Sequence, residues 1–132
     1  MSIDIVRLGT PRRGTSLRLG TVRHPPRGVP KADYARRDFF DVWLPDLAPS
    51  AELLAWARRS QFTSADWKAF ERRYRREMQA PGARRLIALL SALSTRTDIE
   101  VGCYCENESR CHRSILRQLL AGAGAELEPR SG

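Results

Sequence analysis

The stretch DIEVGCYCENESRCHRSILRQLL, residues 98–120, decides the fold, because an apolar run there meets a polar, thiol-rich turn and then an amphipathic segment. Residues 99–104 read as a short buried strand. Ile115, Leu116, Leu119 and Leu120 recur at helical spacing, so the segment is strand, loop, helix. Ser109 is the expected N-cap, which puts Cys111, His112 and Arg113 in the helix's first turn. Unpaired N–H groups and the positive end of the helix dipole make such a turn a natural place to hold an anion.

Working outward, Ile3, Ile5 and Leu8 alternate with polar residues and predict a first strand ending near Gly9. A second extended segment spans residues 17–22. The prolines and glycine of HPPRGVPK, residues 24–31, then exclude regular structure, and FFDVWL, residues 39–44, reads as a third strand. Ser50 is placed to cap the helix AELLAWARR. Thr63 with Asp66 marks the start of a second helix running to about Gln79, with Trp67, Phe70, Tyr74 and Met78 on its buried face. Pro81 and Gly82 break the chain before a third helix over residues 83–93, and residues 122–132 read as a frayed, flexible tail. Strands separated by helices, the first and last of them neighbours, predict an α/β fold: a small, mainly parallel sheet covered by helices in a single domain.

The 132 residues suffice for one core. Twenty-three basic against fifteen acidic residues give a net charge of +8, which favours anionic partners: a nucleotide-like small molecule or, alternatively, nucleic acid. Twenty-one of those basic residues are Arg, spread along the chain in pairs that are also common on solvated faces. No leader or long apolar run is visible, so the chain is expected to be cytoplasmic and without membrane contact. Three closely spaced cysteines do not form a secreted disulfide framework.

Those cysteines admit three readings. Cys103, Cys105, Cys111 and His112 are four potential zinc ligands within ten positions. Cys111, beside His112 and Arg113 at a helix start, alternatively has the setting of a low-pKa nucleophile. Cys103 and Cys105 can also be small buried hydrophobes, with His112 a packing residue. The C-x4-R spacing from Cys105 to Arg110 excludes a direct match to the C-x5-R loop of cysteine phosphatases. No P-loop or dinucleotide fingerprint is present, and no cofactor is expected.

Other pieces of the chain carry a resemblance. Arg7, the Arg18 and Arg23 region, Pro26-Arg27-Gly28 and Lys31 are followed by Trp43 to Ser50, then Glu52, Leu53 and Trp56. Trp67, Phe70, Tyr74 and Glu77 come next at W-x2-F-x3-Y-x2-E spacing. In this order the chain resembles the YeaO-like branch of the bacterial proteins grouped as domain of unknown function four-eight-eight. The Cys111-His112-Arg113 turn is similar to that of the family's other main branch. Pro25 stands where the family has Trp, and Val22 where it has an acidic residue. The resemblance implies an α/β fold, a cytosolic location and a shared set of Arg and Trp positions, and it carries no assigned reaction. Many YeaO-like members have Ala or Asn at the positions of Cys105 and Cys111. With the awkward geometry expected of adjacent Cys111 and His112 as joint ligands, this predicts that no metal is required.

The candidate site therefore comprises Arg7, Arg27 and Arg113 gripping an anion at the sheet's carboxyl edge, with Cys111 or His112 as the chemical group. Arg23, Lys31, Cys103 and Cys105 are accessory. An enzyme acting on a phosphorylated or nucleotide-like substrate is one reading, and a non-catalytic basic module binding nucleic acid or another anionic partner is the other.

Overall fold

In a computed structural model, residues 1–12, 14–105 and 107–129 are described. Four strands, β1 (Ile3–Arg7), β2 (Leu17–Gly20), β3 (Val42–Trp43) and β4 (Ile99–Cys103), form one sheet in the order β1-β4-β2-β3. Every pairing is parallel. The last strand in sequence thus slots between the first two, with Ile3 and Leu17 both in register with Ile99. All five residues of β4 are buried, as expected of a parallel strand covered on both faces.

Four α-helices follow: α1 (Ala51–Arg59), α2 (Ser64–Glu77), α3 (Pro81–Leu93) and α4 (His112–Gly122). Their starts obey local chemistry. The Ser50 hydroxyl accepts the Leu53 N–H, Thr63 and Asp66 form a reciprocal capping box, and Pro81 sits in the first turn of α3, where its missing N–H costs nothing. Ile3, Ile5, Leu19, Ile99 and Val101 pack against Leu53, Phe70, Tyr74, Ile87, Leu90, Ile115, Leu116 and Leu120 in one core. The aromatic stripe of α2 belongs to it: Tyr74 is fully buried, and its hydroxyl donates to the Leu47 carbonyl at 2.7 Å. Among the described residues no helix is long and apolar enough to cross a membrane.

A second cluster, Leu8, Val22, Phe40, Cys103 and Cys111, lies at the carboxyl end of the strands. Here the structure departs from the expected third strand. Only Val42 and Trp43 pair, because Asp38 takes a positive φ of 62° and swings the chain so that Phe39 and Phe40 pack inward instead of extending. Phe40 lies on Gly20: a Cβ there would come within 2.4 Å of its ring. Gly20→Ala is accordingly expected to cost about 1–3 kcal/mol by overpacking. A urea midpoint unchanged from wild type would contradict that contact, and Phe40→Leu in the Gly20→Ala background should recover part of the loss.

The first part of the expected carboxyl-terminal tail runs back along the sheet. The Ile3 N–H donates to the Glu126 carbonyl and the Glu128 N–H to the Ile3 carbonyl, both at 2.8 Å, which pins the chain along the free edge of β1. An edge strand has backbone groups to satisfy, and the segment satisfies them. The end of the expected tail, residues 130–132, lies outside the described residues.

Candidate functional site

β4 ends at Cys103, and Tyr104, Cys105 and residues 107–111 belong to the connection that feeds α4. Ser109 is not the N-cap. The Asn107 side chain accepts both the Ser109 N–H (3.0 Å) and its hydroxyl (2.7 Å), which folds Glu108–Arg110 into a separate 3-10 turn, and α4 begins beyond it with Cys111 as its N-cap. Three arginines fasten this loop. Arg110 donates to the Phe62 carbonyl (2.9 Å), Arg117 grips Glu108 through two bonds (2.8 and 3.1 Å), and Arg113 donates to the Cys105 carbonyl (2.6 Å).

The three consecutive residues of the C-H-R turn have different surroundings. Cys111 is buried with its Sγ 2.9 Å from the Sγ of Cys103. His112 is buried as well. Its Nε2 lies 2.7 Å from the Thr21 carbonyl, so this nitrogen carries the proton and donates, and Nδ1 keeps a lone pair. That Nδ1 is 3.6 Å from Cys111 Sγ. The three ligand atoms of Cys103, Cys111 and His112 all lie within 4.8 Å of one another. The supposed awkwardness of adjacent Cys111 and His112 as joint ligands is therefore not found, because the bend at Cys111 turns both side chains the same way.

Electrostatically the thiols divide their roles. Cys105, the exposed one, is pulled down to about 2 by hydrogen bonds from Cys103 and Cys111, against its desolvation and with help from His112 and Arg113. The buried pair moves the other way. Cys103 is raised by its bonds to Cys105 and Cys111 and by burial. Cys111 reaches about 11: the Cys103 bond lowers it, but the Cys105 bond, burial and the charge on Cys105 outweigh that. In the metal-free cluster these shifts favour ionisation of the exposed Cys105 over the buried Cys103 and Cys111. His112 is lowered to about 4, chiefly by burial, so it is neutral at pH 7.

Beside this cluster a cavity of about 850 Å³ runs along the β1 edge. Arg7 and Arg113 line it together with Asn107, Ser109, Arg117 and Glu128. Arg113 is 3% exposed, and its Nε has no hydrogen-bond partner among the described residues. Arg7 donates through Nε to the Tyr104 carbonyl at 3.2 Å. Arg18 and Arg117, which also line the cavity, are engaged by Glu100 and Glu108. The remaining sequence candidates lie apart from it. Arg27 is exposed on its loop and does not line the cavity. Arg23 spends its guanidinium on the carbonyls of Pro45, Ala48 and Pro49, which makes it a clamp for the turn before α1. Lys31 is exposed at the start of a 3-10 turn. Cys111 and His112 do not line the cavity either. Sequence reasoning missed the Thr21 carbonyl as the group that orients His112, and no side-chain signal could have revealed it.

No curated protein and no solved structure matches the chain. The family DUF488-N3a, described as the active DUF488-N3 subclade, matches residues 3–124. That span runs from the first residue of β1 to beyond the end of α4 and includes the whole thiol cluster and its arginines, so this chain belongs to the DUF488-N3a subclade of the DUF488, YeaO-like proteins.

Proposed function

We propose that the protein is an enzyme acting on a phosphate-bearing, nucleotide-like small molecule bound in the cavity along β1, with the anionic group between Arg113 and Arg7. The observation that carries this reading is Arg113, a buried guanidinium lining a cavity with its Nε unpartnered among the described residues. An unsatisfied buried donor costs free energy, more so when charged, and a ligand oxygen would relieve that cost. The cavity is of the size that holds such ligands, typically about 300–1,000 Å³. Its other end, near Ser2, Asp98 and Glu128, offers carboxylates suited to the donor groups of a base or amine. The family description's word "active" agrees with an enzyme, and Arg113 ties the cavity to the thiols through the Cys105 carbonyl.

Equilibrium titration with inorganic phosphate and with a nucleoside monophosphate tests the reading. Arg7→Ala and Arg113→Lys are expected to weaken binding by about ten- to a hundredfold, the range for one charge-assisted hydrogen bond. Arg27→Ala should leave binding unchanged. Equal weakening by Arg27→Ala, or preference for any DNA or RNA over the mononucleotide with a steep salt dependence, would replace the cavity with a basic surface.

A further inference from the structure

We propose that Cys103, Cys111 and His112 are a zinc site, with Cys105 closing the coordination sphere from the solvent side. The inference is independent of the anion reading and stands if that reading fails. It rests on three geometric features. First, the ligand atoms are already gathered. A tetrahedral zinc with bonds of about 2.3 Å to sulfur and about 2.0 Å to nitrogen places sulfur and nitrogen about 3.6 Å apart and two sulfurs about 3.8 Å apart. Cys111 Sγ and His112 Nδ1 are 3.6 Å apart, and the Cys103 and Cys111 sulfurs, now at 2.9 Å, need only separate by a side-chain rotation.

Second, the surroundings of the imidazole are those of a metal ligand. Metal-bound histidines donate their other ring N–H to a carbonyl or carboxylate, which fixes the tautomer and aims the lone pair. His112 gives its Nε2 proton to the Thr21 carbonyl at 2.7 Å, and Nδ1 faces the two sulfurs. The supports are rigid: Cys103 ends the central strand, Cys111 caps α4, and Thr21 follows β2.

Third, the charge is balanced. Zn²⁺ displaces the protons of Cys103 and Cys111 and meets Cys105 already ionised, so the bound set of three thiolates, a neutral imidazole and the metal carries a net charge of −1. Arg113 holds the Cys105 carbonyl at 2.6 Å and supplies the matching guanidinium, while the N-terminus of α4 adds its dipole. Cys105, exposed and two residues beyond Cys103 in the loop after β4, would complete the set by a side-chain rotation and be the ligand through which a metal enters or is exchanged.

The experiment uses the full chain, reduced with a phosphine and freed of metal by a chelator. It is titrated with Zn²⁺ while released protons are counted, and with Co²⁺ while the absorption spectrum is recorded. The expected result is one metal per chain, about two protons released per zinc near pH 7.5, and the intense thiolate-to-cobalt and visible d–d bands of a tetrahedral site. Cys105→Ser, a change at an exposed position, should keep the stoichiometry and weaken affinity by roughly ten- to a hundredfold. Cys111→Ser should abolish the tetrahedral spectrum, and a circular dichroism spectrum like wild type would exclude unfolding as the reason. If Cys111→Ser does not fold, His112→Gln provides the same test of a buried ligand. Substoichiometric metal, an octahedral cobalt spectrum, or the loss of two free thiols to a Cys103–Cys111 disulfide under reducing conditions would each overturn the site.

Discussion

Replacing Arg18 with Met is expected to destabilise the protein by about 3–5 kcal/mol, the range for leaving one member of a buried ion pair uncompensated. Arg18 is fully buried in β2, and its guanidinium meets Glu100 of β4 across the ladder with two parallel bonds of 3.2 Å. Its remaining nitrogen donates to the Thr10 and Asp38 carbonyls at 2.7 Å each. The substitution therefore strands a carboxylate at 3% exposure and two carbonyls as well. It also loosens the loops after β1 and before β3, which those carbonyls anchor. Paired replacement by Arg18→Met and Glu100→Leu removes the stranded charge and should recover much of the loss, though not the part due to the carbonyls. Urea denaturation of the two single variants and the double variant measures this. A single-variant loss below about 1 kcal/mol, the scale of an exposed pair, would show that the charges are not desolvated as the structure has them.

The same pair shows what the sequence made legible. A charge of opposite sign sits at the second position of two apolar strands, Leu17-Arg18-Leu19 and Ile99-Glu100-Val101, so alternation alone puts both on the face opposite the helix core. That they share a face was readable. That they pair depended on β4 entering between β1 and β2, which is a matter of topology. The helices were legible because their signals are local: Ser50, the Thr63 and Asp66 box, and Pro81 each act within one turn. The third strand was misjudged for the opposite reason, since Phe39 and Phe40 have strong strand propensity but are captured by nonlocal partners, Phe40 by the bare backbone of Gly20 and Phe39 by Gly9. The arginines follow the same division. Composition pointed to a basic surface, yet Arg12, Arg18, Arg23, Arg110 and Arg117 are engaged in bonds to carboxylates and carbonyls that hold loops in place. Only where a guanidinium such as that of Arg113 is buried beside a cavity does the residue type suggest a ligand, and burial is not written in the sequence.

Acid should expose the cost of keeping His112 neutral. Its folded-state value lies at about 4 against 6.5 for the free imidazole. Burial is the main cause, while the Thr21 carbonyl and the charge of Cys105 oppose it and Arg113 reinforces it. Between those values the unfolded chain binds a proton that the folded chain refuses, so stability falls as pH falls. The contribution is fully present above pH 6.5 and is lost progressively down to about pH 4. At about 1.4 kcal/mol per pH unit the loss across this window is about 3 kcal/mol. It is separable from the Asp41 contribution, where the Arg12 guanidinium holds the carboxyl below its ordinary 3.8, so that stability is lost only at lower pH. His24, the other histidine, is exposed. In metal-free, reduced protein, urea midpoints measured from pH 7 to pH 4 should slope downward in wild type and in His24→Asn. They should be nearly flat over the upper part of that range in His112→Gln, whatever its absolute stability. An unchanged slope in His112→Gln would mean that the imidazole is hydrated and not sealed between Thr21, Tyr74 and the thiols.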